Sequence, residues 1–147
     1  MESLYLRHYK EQTAVYGSHT AILLQVGRFF EMYDAVDTAT GLPAANVQVL
    51  AEICGCSVEP KPTNDPAKQK IFWGFPEPSL PKFERLLILA GYSVIVIIQN
   101  KDGTDKVTSR TIDHVSSPGT YYEDDGALGV RQAEQCLVGL YVEPYVF

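Results

Sequence analysis

The sequence has few cysteines, no long apolar run and no apolar leader. Three cysteines in 147 residues are a small and odd number, which argues against a disulfide framework and favours a reducing compartment. There is no run of eighteen apolar residues, so we expect no membrane span. The first residues include Glu2 and no apolar stretch, unlike a secretory signal. We therefore expect an intracellular protein.

A basic excess is also missing. The formal net charge is −6, whereas a free-standing nucleic-acid-binding protein normally carries an excess of Lys and Arg. A role on DNA would need positive charge from elsewhere, most simply from other domains of a longer protein. The sequence also lacks the Gly-x-x-x-x-Gly-Lys-Ser/Thr phosphate loop, so we expect no ATPase activity from it.

The most informative stretch follows an apolar run at 21–26, which is typical of a buried strand. It continues through a glycine and an arginine into Phe29, Phe30 and Glu31. Alternate residues of a strand share a face, so Phe29 lies beside Glu31, and Phe30 faces the other way and serves the core if Phe29 is exposed. Residue statistics alone would instead place Phe29 in the core and Glu31 at a solvated edge.

Periodicity and turn residues predict an α/β fold, a mixed β-sheet flanked by helices. The predicted helices cover residues 2–16, 44–54 and 80–90, and the predicted strands cover 21–26, 71–75, 92–99 and 106–116, with the informative stretch as a further strand. Residues 34–43 are predicted as a loop or a short extension of the strand, and 59–70 as an exposed loop. The Ile- and Val-rich strand at 92–99 is expected inside the sheet, and Asp102-Gly103 predicts a hairpin turn.

Two patterns could indicate metal chemistry. Cys54 and Cys56 are one residue closer than in a zinc knuckle and have no second pair, which favours Cys54 as a small buried hydrophobe. A metal-dependent nuclease would need converging carboxylates, for which Asp34, Asp37 and Glu52 are available. These residues do not form a tight Asp…Glu-x-Lys pattern. We therefore predict no catalytic residues and no metal ligands.

Four stretches together resemble the mismatch-recognition domain of MutS proteins, domain I, over about residues 1–120. They are the Gly-x-Phe-x-Glu stretch at 25–33, the Trp-Gly-Phe-Pro step at 73–76, the helix–Gly–strand stretch at 86–99, and the Ser-Pro-Gly-Thr end at 115–120. The sequence departs from the family pattern at Arg28, where an acidic residue is usual, and at Glu77-Pro78, where a His is common. These departures suggest a divergent branch.

The resemblance implies a DNA role for particular residues. Phe29 matches the phenylalanine that inserts into the minor groove at a mispair, and Glu31 matches the glutamate that contacts the base. Further DNA contacts are expected, by the same resemblance, from Gly27, Arg28, Trp73 and Pro76. A protein-interaction domain that kept the fold but lost mismatch recognition remains an alternative.

The resemblance also implies a larger protein. Residues 1–120 correspond to the mismatch-recognition domain, 121–133 to a linker, and 134–147 to the first strand of a truncated connector domain. The expected partners are mismatched double-stranded DNA and other domains of the same chain, in a full-length protein that forms a dimer. This chain would carry no cofactor, whereas the parent protein would bind ATP and Mg²⁺ in a C-terminal domain.

Overall fold

The computed structural model describes residues 1–120, which fold into a six-stranded mixed sheet with three α-helices. The helices are α1 (Glu2–Tyr16), α2 (Val47–Ile53) and α3 (Leu80–Leu89), with a short 3₁₀ helix at Glu77–Ser79 before α3. The strands are β1 (Thr20–Val26), β2 (Phe29–Asp37), β3 (Glu59–Lys61), β4 (Lys68–Pro76), β5 (Ser93–Lys101) and β6 (Val107–Ser116). The predicted α/β class is confirmed.

The strands lie in the order β3-β4-β2-β1-β5-β6. Only the β1–β5 pair is parallel among these six strands, and the other pairs are antiparallel. The interior position predicted for the Ile- and Val-rich strand is confirmed, because β5 lies between β1 and β6 and its residues 94–97 are buried. Such a strand needs cover on both faces of the sheet.

Both segments in which the turn residues indicate a loop contain strand residues. β2 continues to Asp37, which pairs with Lys68 of β4, so of the two alternatives for residues 34–37 the extension is correct. The segment 59–70 likewise contains β3 and the start of β4. Its prolines indicated a loop, but Pro60 lies in the edge strand β3, where a missing N–H is tolerated. Pairing across the sheet therefore overrides the local turn signals.

Helix α2 begins later than predicted, at Val47 rather than at residue 44. The backbone N–H of Ala45 donates to Asp34 Oδ1 at 2.8 Å. The same oxygen accepts the N–H of Ala35 at 2.7 Å. Asp34 is fully buried and ties the segment before α2 to strand β2.

The helices cover the two faces of the sheet unequally. The ring of Tyr5 in α1 lies 6.1 Å from the ring of Tyr33, so α1 packs on the face with the odd-numbered residues of β2, the α1 face. The ring of Phe83 in α3 lies 4.4 Å from that of Phe75, which lies 5.8 Å from that of Phe30. Helices α2 and α3 therefore pack on the even-numbered side, the α2–α3 face.

Within residues 1–120, no helix has the length and apolar character needed to span a bilayer. The predicted linker at 121–133 and the predicted strand at 134–147 lie outside the described residues.

Candidate nucleic-acid interface

A two-residue hairpin turn brings the informative stretch to the end of the sheet. Val26 pairs with Phe29, which leaves Gly27 and Arg28 as the two turn residues. Gly27 has φ +64° and Arg28 has no positive φ, the pattern of a type II′ turn, which favours glycine at its first central position. The N–H of Gly27 donates to Gln99 Oε1 at 3.1 Å, so β5 holds the turn in place.

Phe29 and Phe30 are neighbours in sequence and differ completely in environment. The side chain of Phe29 is 49% exposed on the α1 face, whereas that of Phe30 is 1% exposed on the α2–α3 face. Phe29 pairs with Pro76 of β4, which is also exposed. The predicted exposure of Phe29 and burial of Phe30 are both confirmed.

Glu31 lies two residues beyond Phe29 on the same face and is half-buried. The hydroxyl of Tyr33 donates a short hydrogen bond to Glu31 Oε2. Burial is the main cause that raises the pKa of Tyr33 above its ordinary value, and the hydrogen bond to Glu31 raises it further. The hydroxyl therefore stays protonated and remains a donor at physiological pH.

Gly74 of β4 lies directly opposite Glu31. A Cβ atom at this position would lie 2.9 Å from the carbonyl oxygen of Phe30 and 3.2 Å from Cγ of Glu31. The glycine therefore leaves the space that Glu31 occupies. Together, Phe29, Glu31, Gly74 and Pro76 form an exposed apolar and acidic patch, the wedge surface.

Two cations near the wedge surface were not among the predicted site residues. The ammonium group of Lys61 in β3 lies 4.6 Å from the ring centroid of Tyr33 and 4.2 Å from that of Phe72. Arg110 of β6 donates to the carbonyl oxygen of Gln25 at 3.5 Å, and its charge acts on Tyr33. Both side chains arrive through strand pairing, so no local sequence signal could have placed them here.

The family profile described as MutS domain I matches residues 5–125. The chain belongs to this family. It is also similar to a putative DNA mismatch repair protein, mutS homolog L359 of Acanthamoeba polyphaga mimivirus, with 29% identity over 133 residues. The matched region covers 84% of this chain and 11% of that relative, so the chain spans a small part of the relative's length.

MutS domain I is the mismatch-recognition domain of its family, so the chain is a recognition domain in this general sense. Its expected contacts at the turn and strand end are accessible on the structure. Gly27, Arg28 and Pro76 are exposed beside Phe29. Their contacts with DNA stay predictions.

Trp73 is placed differently from the expectation that the MutS resemblance gave. It pairs with Met32, and its indole is 5% exposed on the α2–α3 face. Its ring lies 5.7 Å from that of Phe75 and 5.6 Å from that of Phe83. Because successive residues of β4 alternate between faces, Trp73 cannot share a face with its neighbour Gly74. The indole therefore belongs to the core, and a contact of Trp73 with DNA stays a prediction.

The residues considered for metal chemistry have structural roles. Across residues 1–120, no three His, Cys, Asp or Glu side chains are grouped to hold a metal ion. Asp37 accepts the backbone N–H groups of Ala39 and Thr40 at 2.9 and 2.8 Å. Burial, with a smaller effect of Cys56, raises the pKa of Cys54 to about 12, so its side chain is a protonated thiol at physiological pH.

Proposed function

We propose that this MutS domain I recognises mispaired bases in duplex DNA through Phe29 and Glu31. Phe29 would enter the minor groove at the mispair and stack on a base, and Glu31 would contact a base edge. The observation that carries the proposal is the exposure of Phe29 at the first position of β2. Its ring is 49% exposed, whereas the next residue, Phe30, is buried in the core. A ring exposed at a strand end is sterically free to stack on an unpaired base, and Phe29 holds the position of the phenylalanine in the Gly-x-Phe-x-Glu stretch of this family.

The energetics of mismatched DNA favour such a wedge. A mispaired step is less well stacked than a Watson–Crick step, so unstacking and bending it require less free energy. Apolar side chains inserted from the minor groove exploit this difference. A base stacked on an aromatic side chain contributes about 1–3 kcal/mol, enough to favour the mispaired site clearly over normal duplex.

A carboxylate beside the wedge adds selectivity. Glu31 can accept a hydrogen bond from the imino N–H of an unpaired thymine, which a matched pair does not offer. On a matched duplex the same negative charge is repelled by the phosphates and, at A·T pairs, faces only base acceptors in the minor groove, which disfavours binding. The pair formed by Phe29 and Glu31 therefore combines a general attraction to unstacked bases with a penalty on normal DNA.

The charge of the chain implies that other domains supply most of the affinity for the DNA backbone. A net charge of −6 repels phosphates, and this chain spans only 11% of its viral relative. We propose that the domain acts within a longer MutS-type protein that is a dimer, holds the duplex with further domains, and binds ATP and Mg²⁺ outside this chain. In this arrangement the domain itself catalyses nothing.

The proposal is tested by comparing the affinity of the full-length protein for two duplexes that differ in a single mispaired base. We expect tighter binding to the mismatched duplex at the same salt concentration. Equal affinities would favour the alternative, a protein-interaction domain that kept the fold and lost recognition. Cleavage of either duplex with Mg²⁺ or Mn²⁺, abolished by substituting a residue of this chain, would contradict the absence of catalysis.

A further inference from the structure

Tyr33 is a closely packed polar side chain next to the wedge surface. It is 4% exposed, on the same face of β2 as Phe29 and Glu31. Its ring meets Tyr5 edge to face at 6.1 Å and stacks on Phe72 at 6.2 Å. Rings packed on two sides cannot change rotamer without disturbing the core. The hydroxyl of Tyr33 is therefore a fixed point at the border between core and surface.

The side chain of Lys61 also contacts the ring of Tyr33. Its ammonium group lies 4.6 Å from the centroid of the Tyr33 ring and 4.2 Å from that of Phe72. A cation over an aromatic face is attracted by the negative charge density of the ring. This contact joins β3 to β2. The hydroxyl of Tyr33 is not part of it and donates to Glu31.

Within residues 1–120, the Tyr33 hydroxyl is the hydrogen-bond donor found for the Glu31 carboxylate. The residue opposite is Gly74, which has no side chain to confine the carboxylate. A glutamate has three rotatable side-chain bonds, so an unrestrained carboxylate would sample many positions around Phe29. The hydrogen bond from the Tyr33 hydroxyl to Oε2 selects one of them and leaves Oε1 available to another donor.

We propose that Tyr33 is a positioning residue that holds the Glu31 carboxylate beside Phe29, ready to contact a mispaired base. The inference rests on the proposed function of Glu31 and adds to it a residue that never touches DNA. Preorganisation of this kind raises affinity because less freedom is lost on binding. A donated hydrogen bond also restricts which base edges the remaining oxygen can meet, so Tyr33 influences mismatch preference through Glu31.

The test is Tyr33→Phe in the full-length protein, measured as the ratio of affinities for mismatched and matched duplex. This substitution keeps the packed ring and removes only the hydroxyl. We expect the ratio to fall about 2- to 10-fold, the effect of one hydrogen bond. The matched control is Tyr92→Phe, which removes a hydroxyl from a half-buried tyrosine near the opposite end of the sheet, and it should leave the ratio unchanged.

A double-mutant cycle separates positioning from a merely structural role. If Tyr33 acts through Glu31, Tyr33→Phe has no further effect on the ratio once Glu31→Ala is present. A structural effect of Tyr33→Phe would persist in that background and would overturn the positioning role. Thermal unfolding of all four proteins sets a temperature at which each is folded, so that loss of fold does not enter the ratio.

The outcomes also distinguish this inference from the proposed function. If Glu31→Ala lowers the ratio and Tyr33→Phe does not, the positioning role of Tyr33 is wrong and the role of Glu31 stands. If Glu31→Ala itself leaves the ratio unchanged, Glu31 does not recognise the mispair, and both proposals fail. A reduced ratio in each single variant, with no additional loss in the double variant, supports both.

Discussion

Phe29 and Phe30 are the same residue type at adjacent positions, and their surroundings give them opposite tasks. Phe30 faces α3 through Phe75 and contributes to the core, whereas Phe29 faces solvent at the end of the α1 face. The difference arises from helix coverage. Tyr5 of α1 reaches as far as Tyr33, and the two odd-numbered positions nearer the turn stay uncovered. One end of a helix-covered face is thus left open, and this open end carries the proposed recognition surface.

The largest effect that separates the two faces is expected from Phe30→Ala. Removing the fully buried ring of Phe30 should lower the free energy of unfolding by about 3–5 kcal/mol, because the truncation creates a cavity next to Phe75. Chemical denaturation of the wild-type protein and of the variant measures this loss. The matched variant Phe29→Ala should unfold at nearly the wild-type denaturant concentration. Equal losses in the two variants would contradict the comparison.

A smaller effect is expected from Gly74→Ala, which closes the space on the open side. The new Cβ would lie 2.9 Å from the carbonyl oxygen of Phe30, so the strands must shift or Glu31 must move. We expect a loss of about 1–3 kcal/mol in the free energy of unfolding, typical of overpacking. Gly103→Ala is the control, because nothing lies within 4 Å of its Cβ position. Similar stability of the two variants would show that Gly74 is not confined.

The smallest effect concerns His114 on the α2–α3 face. Its ring lies 2.9 Å from Glu84 of α3 and 2.7 Å from Asp113. Partial burial lowers the pKa of His114, but the hydrogen bonds to Asp113 and Glu84 and the charges of these carboxylates outweigh it and raise the pKa above its ordinary value. The protonated ring therefore stabilises the fold below the unfolded pKa of about 6.5, and this contribution is lost as the pH rises through the folded pKa.

The stability difference between wild type and His114→Gln should accordingly be larger near pH 5 than near pH 8, by under about 1 kcal/mol, because the side chain is 39% exposed and solvent screens the pair. Urea unfolding of both proteins across this range measures it. Titrating groups away from His114 are common to both proteins and cancel in the difference. A difference that grows toward pH 8 would mean that His114 is held neutral.

What could be predicted from the sequence followed from short-range rules. The alternation of strand residues separates Phe29 from Phe30 without knowledge of any partner strand. The length of β2 could not be predicted in the same way, because residues 34–37 become strand only through pairing with β4. The approach of Lys61 and Arg110 likewise depends on strand order.

The positions of Tyr33 and Trp73 could also be predicted from the local sequence. The contact between Tyr33 and Glu31 had a local signal, since residues i and i+2 share a face and a tyrosine hydroxyl can meet a carboxylate. The alternation of strand residues also predicts the face on which Trp73 lies. One position from Gly74, it had to face away from the wedge surface once Gly74 faced toward it.

The central claim is that the exposed ring of Phe29 recognises the mispair. Its most direct test is the affinity of the full-length Phe29→Ala protein for a mismatched and a matched duplex. We predict that the free-energy preference for the mismatch falls by about 1–3 kcal/mol, the contribution of one base–aromatic stack, while thermal unfolding changes little. An unchanged preference for the mismatch in a folded Phe29→Ala protein would contradict the claim.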